Sequence, residues 1–126
     1  MRVLFIGEQP EAVDYSNPSL PPGTTAAKIH AGITLAMAQM KERGWHAELC
    51  LIQPDGTAAV SIAQQLKKDV YDCVVIGGGI RIPPPSLQLF ETIINEVHRG
   101  APQARIAFNT RPEDTADAAA RVSANH

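Results

Sequence analysis

Apolar positions along this chain fall into short continuous runs, with stretches of helical spacing between them. Val3 to Ile6 is one such run, closed by Gly7. After a polar, proline-bearing stretch, Thr24 or Thr25 opens a segment in which Ile29, Ile33, Met37 and Met40 recur at steps of three or four. That spacing predicts a helix. Gly44 stops it, because glycine enters the left-handed conformation without a Cβ clash. Trp45 to Ile52 alternates, with Trp45, Ala47, Leu49 and Leu51 on one face and His46, Glu48 and Cys50 on the other, as a half-exposed strand does. The turn Pro54-Asp55-Gly56 leads into a second helix marked by Ala59, Ile62, Ala63 and Leu66 and ended near Asp69. Tyr71 to Gly77 is a third strand, apolar on both faces.

The alternation continues to the end. Leu87, Phe90, Ile94 and Val97 form the stripe of a third helix, stopped at Gly100-Ala101-Pro102, and Arg105 to Phe108 is a short fourth strand. Thr110-Arg111-Pro112-Glu113 has the spacing of a capping box, in which the threonine hydroxyl and the glutamate carboxylate satisfy unpaired N–H groups at a helix start. An alanine-rich helix from about Arg111 to Arg121 follows, and the tail Ser123 to His126 is expected to fray.

Strands separated by helices pair in parallel through right-handed crossovers, with helices on both faces of the sheet. The expectation is therefore one α/β domain over residues 1–126, a three-layer sandwich around a four-stranded parallel sheet. The third strand, apolar throughout, belongs at the centre, and the alternating second strand at an edge. Order 2-1-3-4 meets both conditions; the dinucleotide-fold order 3-2-1-4 ranks second because it puts the alternating strand inside. In strand order and size the chain resembles the flavodoxin and response-regulator group, without a fifth strand. The resemblance is one of architecture, flavodoxin-like or Rossmann-like, and implies no activity. Flavodoxins carry a serine- and threonine-rich phosphate loop after the first strand, where this chain has Glu8-Gln9-Pro10-Glu11. Receiver domains place a phosphoacceptor aspartate at the end of the third strand, where Gly77 stands.

Composition narrows the function classes. A formal charge of -2, without a lysine or arginine cluster, speaks against a nucleic-acid surface. One tryptophan, two tyrosines and three phenylalanines make base-stacking platforms an unpromising idea as well. Cys50 and Cys73 both sit in apolar runs and read as small buried hydrophobes rather than a disulfide pair. The first apolar run is too short for a signal peptide, and no run approaches the ~20 apolar residues of a membrane span, so the expected location is cytoplasmic.

Candidate chemistry gathers where ligands of open α/β sheets bind, outside the carboxyl ends of the strands and at the point where strand order reverses. Two unusual loops meet there in order 2-1-3-4. Glu8 to Gly23 is sixteen residues long, against about two to six for a common strand-to-helix turn. Its prolines restrict the backbone, and Asp14, Tyr15 and Asn17 offer hydrogen-bonding groups, with Glu8 at its start; a lid, an interface and a plain surface excursion are the readings it allows. Gly77-Gly78-Gly79, followed by Arg81 and Pro83-Pro84-Pro85, can bring backbone N–H groups and a guanidinium to an anion. The residues from Arg81 to Pro85 separate these glycines from the following helix, unlike a phosphate loop, and a purely structural turn is the competing reading. Asn109, Thr110 and Arg111 close the group, with Thr110 read as a helix cap before a nucleophile and the arginines as salt-bridge tethers as readily as anion receptors.

Other chemistries find less support. His30, His46, His98 and His126 show no metal-ligand spacing, and Ser16 and Ser19 lack a nucleophile elbow. No metal is assigned, and no cofactor is identified. Two functions remain: a domain binding a small anionic or nucleotide-like ligand, with Glu8 or Asp14 as the available acid or base, and a non-catalytic protein-interaction or oligomerisation module. The short fourth strand, left as a sheet edge, suggests a homodimer.

Overall fold

The computed structural model describes residues 1–123. The chain forms β1 (Arg2–Glu8), α1 (Ala26–Glu42), β2 (His46–Ile52), α2 (Thr57–Lys68), β3 (Cys73–Ile76), a one-turn helix α3 (Gly78–Arg81), α4 (Leu87–Gly100), β4 (Arg105–Phe108) and α5 (Thr115–Ser123). Three 3₁₀ turns, Pro10–Ala12, Pro84–Ser86 and Pro112–Asp114, punctuate the connections. Of the tail expected to fray, Ser123 closes α5 and residues 124–126 lie outside the described residues.

The sheet order is β2-β1-β3-β4, with all three pairings parallel, so the fold is the flavodoxin-like three-layer sandwich. Strand alternation divides the core in two. Leu4, Ile6, Cys50, Ile52, Val74 and Ile76 face α2 and α4, whereas Val3, Phe5, Cys73, Val75 and Ala107 face α1 and α5. β3 is buried throughout because it has a strand on each side and helices above and below. The alanines of α5 follow from the same geometry: Ala116, Ala118 and Ala119 are buried where that helix approaches the sheet and α1, and small side chains permit the approach.

Several boundaries and faces differ from the sequence expectation. The buried stripe of α2 is Ala58, Ile62 and Leu66, rather than one through Ala59 and Ala63. On α4 the buried centre is Ile93 and Val97, and Leu87 is 59% exposed, because the 3₁₀ turn Pro84–Ser86 enters the helix at a phase that turns its first residue outward. On β2 the polar-looking face is covered near its end, where Cys50 and Ile52 sit under α2. The capping box shifts by one residue. Asp114, not Glu113, reaches back to accept from the Thr110 N–H at 3.0 Å, the Arg111 N–H at 3.4 Å and the Thr110 hydroxyl. Burial pushes the Asp114 carboxyl up, and these donors more than reverse it, leaving it below its ordinary value.

Both outer strands are edges of the sheet. The N–H groups of Arg105 on β4 and of Asn109 just after it donate to Asp72 and Ile76, so the Phe108 carbonyl faces away from β3. Arg121 of α5 donates to that carbonyl at 2.9 Å, engaging one acceptor a second chain's strand would need.

Candidate ligand cleft

β1 is longer than β3 at the carboxyl end. Ile6 pairs with Ile76, the last residue of β3, while Gly7 and Glu8 run on beside Leu51 and Ile52 of β2. Beyond Ile76 the chain folds into α3, and a cleft of ≈ 520 Å³ opens at this reversal of strand order. Its floor is Phe5, Gly7, Gly77, Gly78 and Asn109. Ile29 and Ile33 of α1 form one wall, and Val13, Leu20, Pro21 and Pro22 of the first loop another. Glu8, Lys28, Gly79, Thr110, Arg111 and Glu113 supply the polar groups around it.

The long first loop is ordered by its own short-range hydrogen bonds. Asp14 accepts from the Ser16 N–H at 3.0 Å and its hydroxyl at 2.5 Å, and Asn17 accepts from the Ser19 N–H at 2.8 Å. The Tyr15 hydroxyl donates to the Pro10 carbonyl at 2.5 Å. Asp14 and Tyr15 therefore serve the loop's own turns and are not among the residues lining the cleft. At the loop's end Thr25 caps α1, its hydroxyl accepting from the Lys28 N–H at 3.2 Å.

The glycines have three different duties. None has positive φ, so left-handed backbone is not what selects them. Gly77 donates to the Ile6 carbonyl at 2.9 Å, and a Cβ there would lie 3.3 Å from that oxygen. Gly78 donates to the Asn109 side-chain oxygen at 2.8 Å, and a Cβ there would stand 2.9 Å from the Thr110 carbonyl oxygen. Only at Gly79 does a Cβ meet open space. The triglycine thus fits the ends of three strands together, and the N–H groups of Gly77 and Gly78 are engaged within the protein rather than held out to an anion.

Arg81 is placed away from the cleft. One turn of helix carries it round so that its guanidinium lies 5.6 Å from the Phe108 ring centroid and donates to the Asn109 carbonyl at 3.1 Å. Its Nε is buried without a hydrogen-bond partner. It therefore ties α3 to the end of β4 rather than joining Arg111 at the cleft. Asn109 is 2% exposed; its amide N–H₂ donates to the Thr115 hydroxyl at 2.9 Å, so its side chain too is spent on structure.

Of the ten residues singled out from sequence, Glu8, Gly77, Gly78, Gly79, Asn109, Thr110 and Arg111 line the cleft. Lys28 and Glu113 were missed. Lys28 stands in the first turn of the helix that follows the long loop, and such turns lie at the same sheet edge as the strand ends. Among the described residues, Glu8, Lys28, Arg111 and Glu113 form no ion pair with one another or with a third group.

Glu8 is the chemically distinctive member. Half-buried against an apolar floor, with no hydrogen-bond donor to its carboxylate among the described residues, it is pushed from the ordinary 4.5 to about 7 by loss of water. Because the folded protein holds this proton more tightly than the unfolded chain, Glu8 contributes stability below about pH 4.5 that is lost as pH rises through about 7. Glu8→Gln is therefore expected to gain about 1–2 kcal/mol over the wild type at pH 8 and nothing at pH 4, after allowance for solvent around a half-exposed carboxyl. Urea unfolding of both proteins at the two pH values measures the difference.

Outside the cleft, ligating atoms of His46, Glu48 and Asp69 lie within 4.8 Å of one another. Each is engaged by the protein: Asp69 pairs with Arg2, Glu48 accepts from Tyr71 and Gln65, and His46 sits 3.5 Å from Glu48. Cys50 and Cys73 are buried free thiols, raised by burial, and neither lines the cleft. No helix among the described residues is long and apolar enough to cross a membrane. No protein-family model matches the chain, and no curated protein matches it in sequence.

Proposed function

We propose that this chain is a small-ligand-binding domain whose ligand is an organic anion of up to about nucleotide size, held at the carboxyl edge of the sheet. One observation carries the reading: a cleft of ≈ 520 Å³ with largely apolar walls has two cationic side chains, Lys28 and Arg111, and among the described residues neither forms a salt bridge, although Asp114 acts on Arg111 electrostatically. An apolar body fits between Ile29, Ile33, Leu20 and Phe5, and an anionic head reaches the two cations. Anion capture by the glycine N–H groups is not part of this reading, since two of the three are engaged. The engaged Asn109 amide and the displaced Arg81 likewise act by shaping the cleft.

The interaction-module reading draws on a different surface. Ile82 and Leu87, 44% and 59% exposed, flank the proline run beside α3, and a homodimer through this face or the β4 edge remains its natural form. The cleft reading ranks above it because an apolar enclosure with two cations at its mouth has a chemical use that scattered surface apolar residues do not require.

A thermal-shift screen with AMP, flavin mononucleotide and citrate tests the proposal. A ligand at ten times its dissociation constant is expected to add about 1.4 kcal/mol and raise Tm by several degrees. The double substitution Lys28→Ala, Arg111→Ala is expected to abolish the shift while leaving the unliganded Tm within about two degrees, since both side chains are exposed. Failure of all three compounds to move the wild-type Tm counts against the cleft as an anion site.

A further inference from the structure

The cleft's charges do not sum in favour of an anion while every group is ionised. Glu8 and Glu113 then oppose Lys28 and Arg111. The two pairs differ in depth, however: Lys28, Arg111 and Glu113 are exposed, whereas Glu8 is half-buried at the end of β1. A ligand sealing the cleft strips water chiefly from Glu8. An ionised carboxylate left there, without a donor and beside a bound anion, is the least favourable arrangement the site offers.

We infer that the cleft takes up its anion together with one proton, carried on the Glu8 carboxyl. The inference rests on the anion-cleft reading above and adds a titrating partner to it. In the protonated form Glu8 presents a neutral O–H donor toward the ligand, and among the residues lining the cleft Lys28 and Arg111 then face Glu113 alone, with Asp114 beside Arg111 outside the lining.

Other charged groups packed around Glu8 do not supply the coupling. On the loop side stand Tyr15, whose hydroxyl is raised by burial and by Glu11 and Glu8, and Glu11, held below its ordinary value by His30 at 2.5 Å. On β2 the neighbour of Glu8 is Ile52, and the Gly77 to Gly79 segment brings no ionisable side chain. His30 faces Glu11 from the exposed side of α1 and does not line the cleft.

The test uses 8-anilinonaphthalene-1-sulfonate, an apolar body with one sulfonate whose charge is constant across the range. Its affinity is read by fluorescence titration of the intact chain. With Glu8 ionising at about 7, the dissociation constant is expected to weaken roughly thirtyfold from about pH 6 to about pH 8.5. Glu8→Gln is expected to bind at both pH values with the wild type's low-pH affinity, and His30→Gln to keep the wild-type slope. Calorimetry of the wild type in two buffers of different ionisation enthalpy, near pH 8, is expected to show uptake of close to one proton, which needs no variant.

The outcomes separate the two claims. Binding that depends on Lys28 and Arg111 but shows no pH slope and no proton uptake overturns the Glu8 inference and leaves the anion cleft standing. A slope that survives in Glu8→Gln, or vanishes in His30→Gln, overturns it as well. If the probe does not bind the wild type at either pH, or binds equally well to the Lys28→Ala, Arg111→Ala variant, the anion-cleft reading falls and the inference with it.

Discussion

Replacing Asn109 by leucine is expected to destabilise the protein by about 2–4 kcal/mol, one of the two largest effects foreseen for a single substitution here. The side chain is 2% exposed and joins three elements: its oxygen accepts from the Gly78 N–H of α3 at 2.8 Å, and its N–H₂ donates to Thr115 of α5 at 2.9 Å. Thr115 in turn donates to the Pro112 carbonyl at 2.6 Å, fixing the turn that carries Arg111. Leucine removes the acceptor and leaves the Gly78 N–H buried beside an apolar group, which forfeits the bond and retains the desolvation cost. Thr115→Val removes the hydroxyl that accepts from Asn109 and donates to Pro112, leaves the Gly78 bond in place, and is expected to cost about 1–2 kcal/mol. The double variant is expected to lose less than the sum, because both ends of one hydrogen bond have then become apolar. Urea unfolding of the four proteins checks this; an Asn109→Leu loss under about 0.5 kcal/mol would mean that water reaches Gly78 and the network is not closed.

This network marks the boundary of what the sequence disclosed. Strand order was legible because it depends on local patterns: β3 is apolar at every position and β2 is mixed, so one is central and the other an edge. The position of the cleft followed from that order, since a parallel sheet has one reversal point. The left-handed Gly44 and the Thr25 cap were legible for the same reason, each being decided within one turn of chain.

The roles of individual residues around the cleft were not legible, and the causes are long-range. A glycine that must take positive φ and a glycine that must admit a neighbouring carbonyl have the same letter. Which one stands at position 78 depends on Thr110, thirty-two positions along the chain. Asn109 and Arg81 have the composition of a binding site, but whether their hydrogen-bonding capacity faces outward depends on what the fold places beside them. Here Gly78, Thr115 and the Phe108 ring are in place, and those side chains are engaged. Lys28 shows the reverse case. Its surroundings in sequence are an ordinary first helical turn, and only the course of the preceding loop brings it to the mouth of the cleft.

Adjacent glycines are expected to respond in opposite directions, and that contrast decides whether the triglycine is a packing device. In Gly78→Ala the new methyl would lie 2.9 Å from the Thr110 oxygen, 3.2 Å from its carbonyl carbon and 3.1 Å from Ile82 Cδ1. Two of these three atoms are backbone at the start of the turn leading to α5, which cannot move without disturbing the Asp114 bonds to Thr110 and Arg111. Relief must come from shifting α3, which strains the bond to Asn109, so a loss of about 2–3 kcal/mol is expected. In Gly79→Ala the methyl meets open space on a backbone without positive φ, so the native state pays nothing while the unfolded chain loses freedom; stability is expected to rise by about 0.4–1 kcal/mol. Thermal and urea unfolding of the two variants measures both signs. Equal losses at the two positions would sink the close-packing account, because a methyl at Gly79 meets no atom that could oppose it.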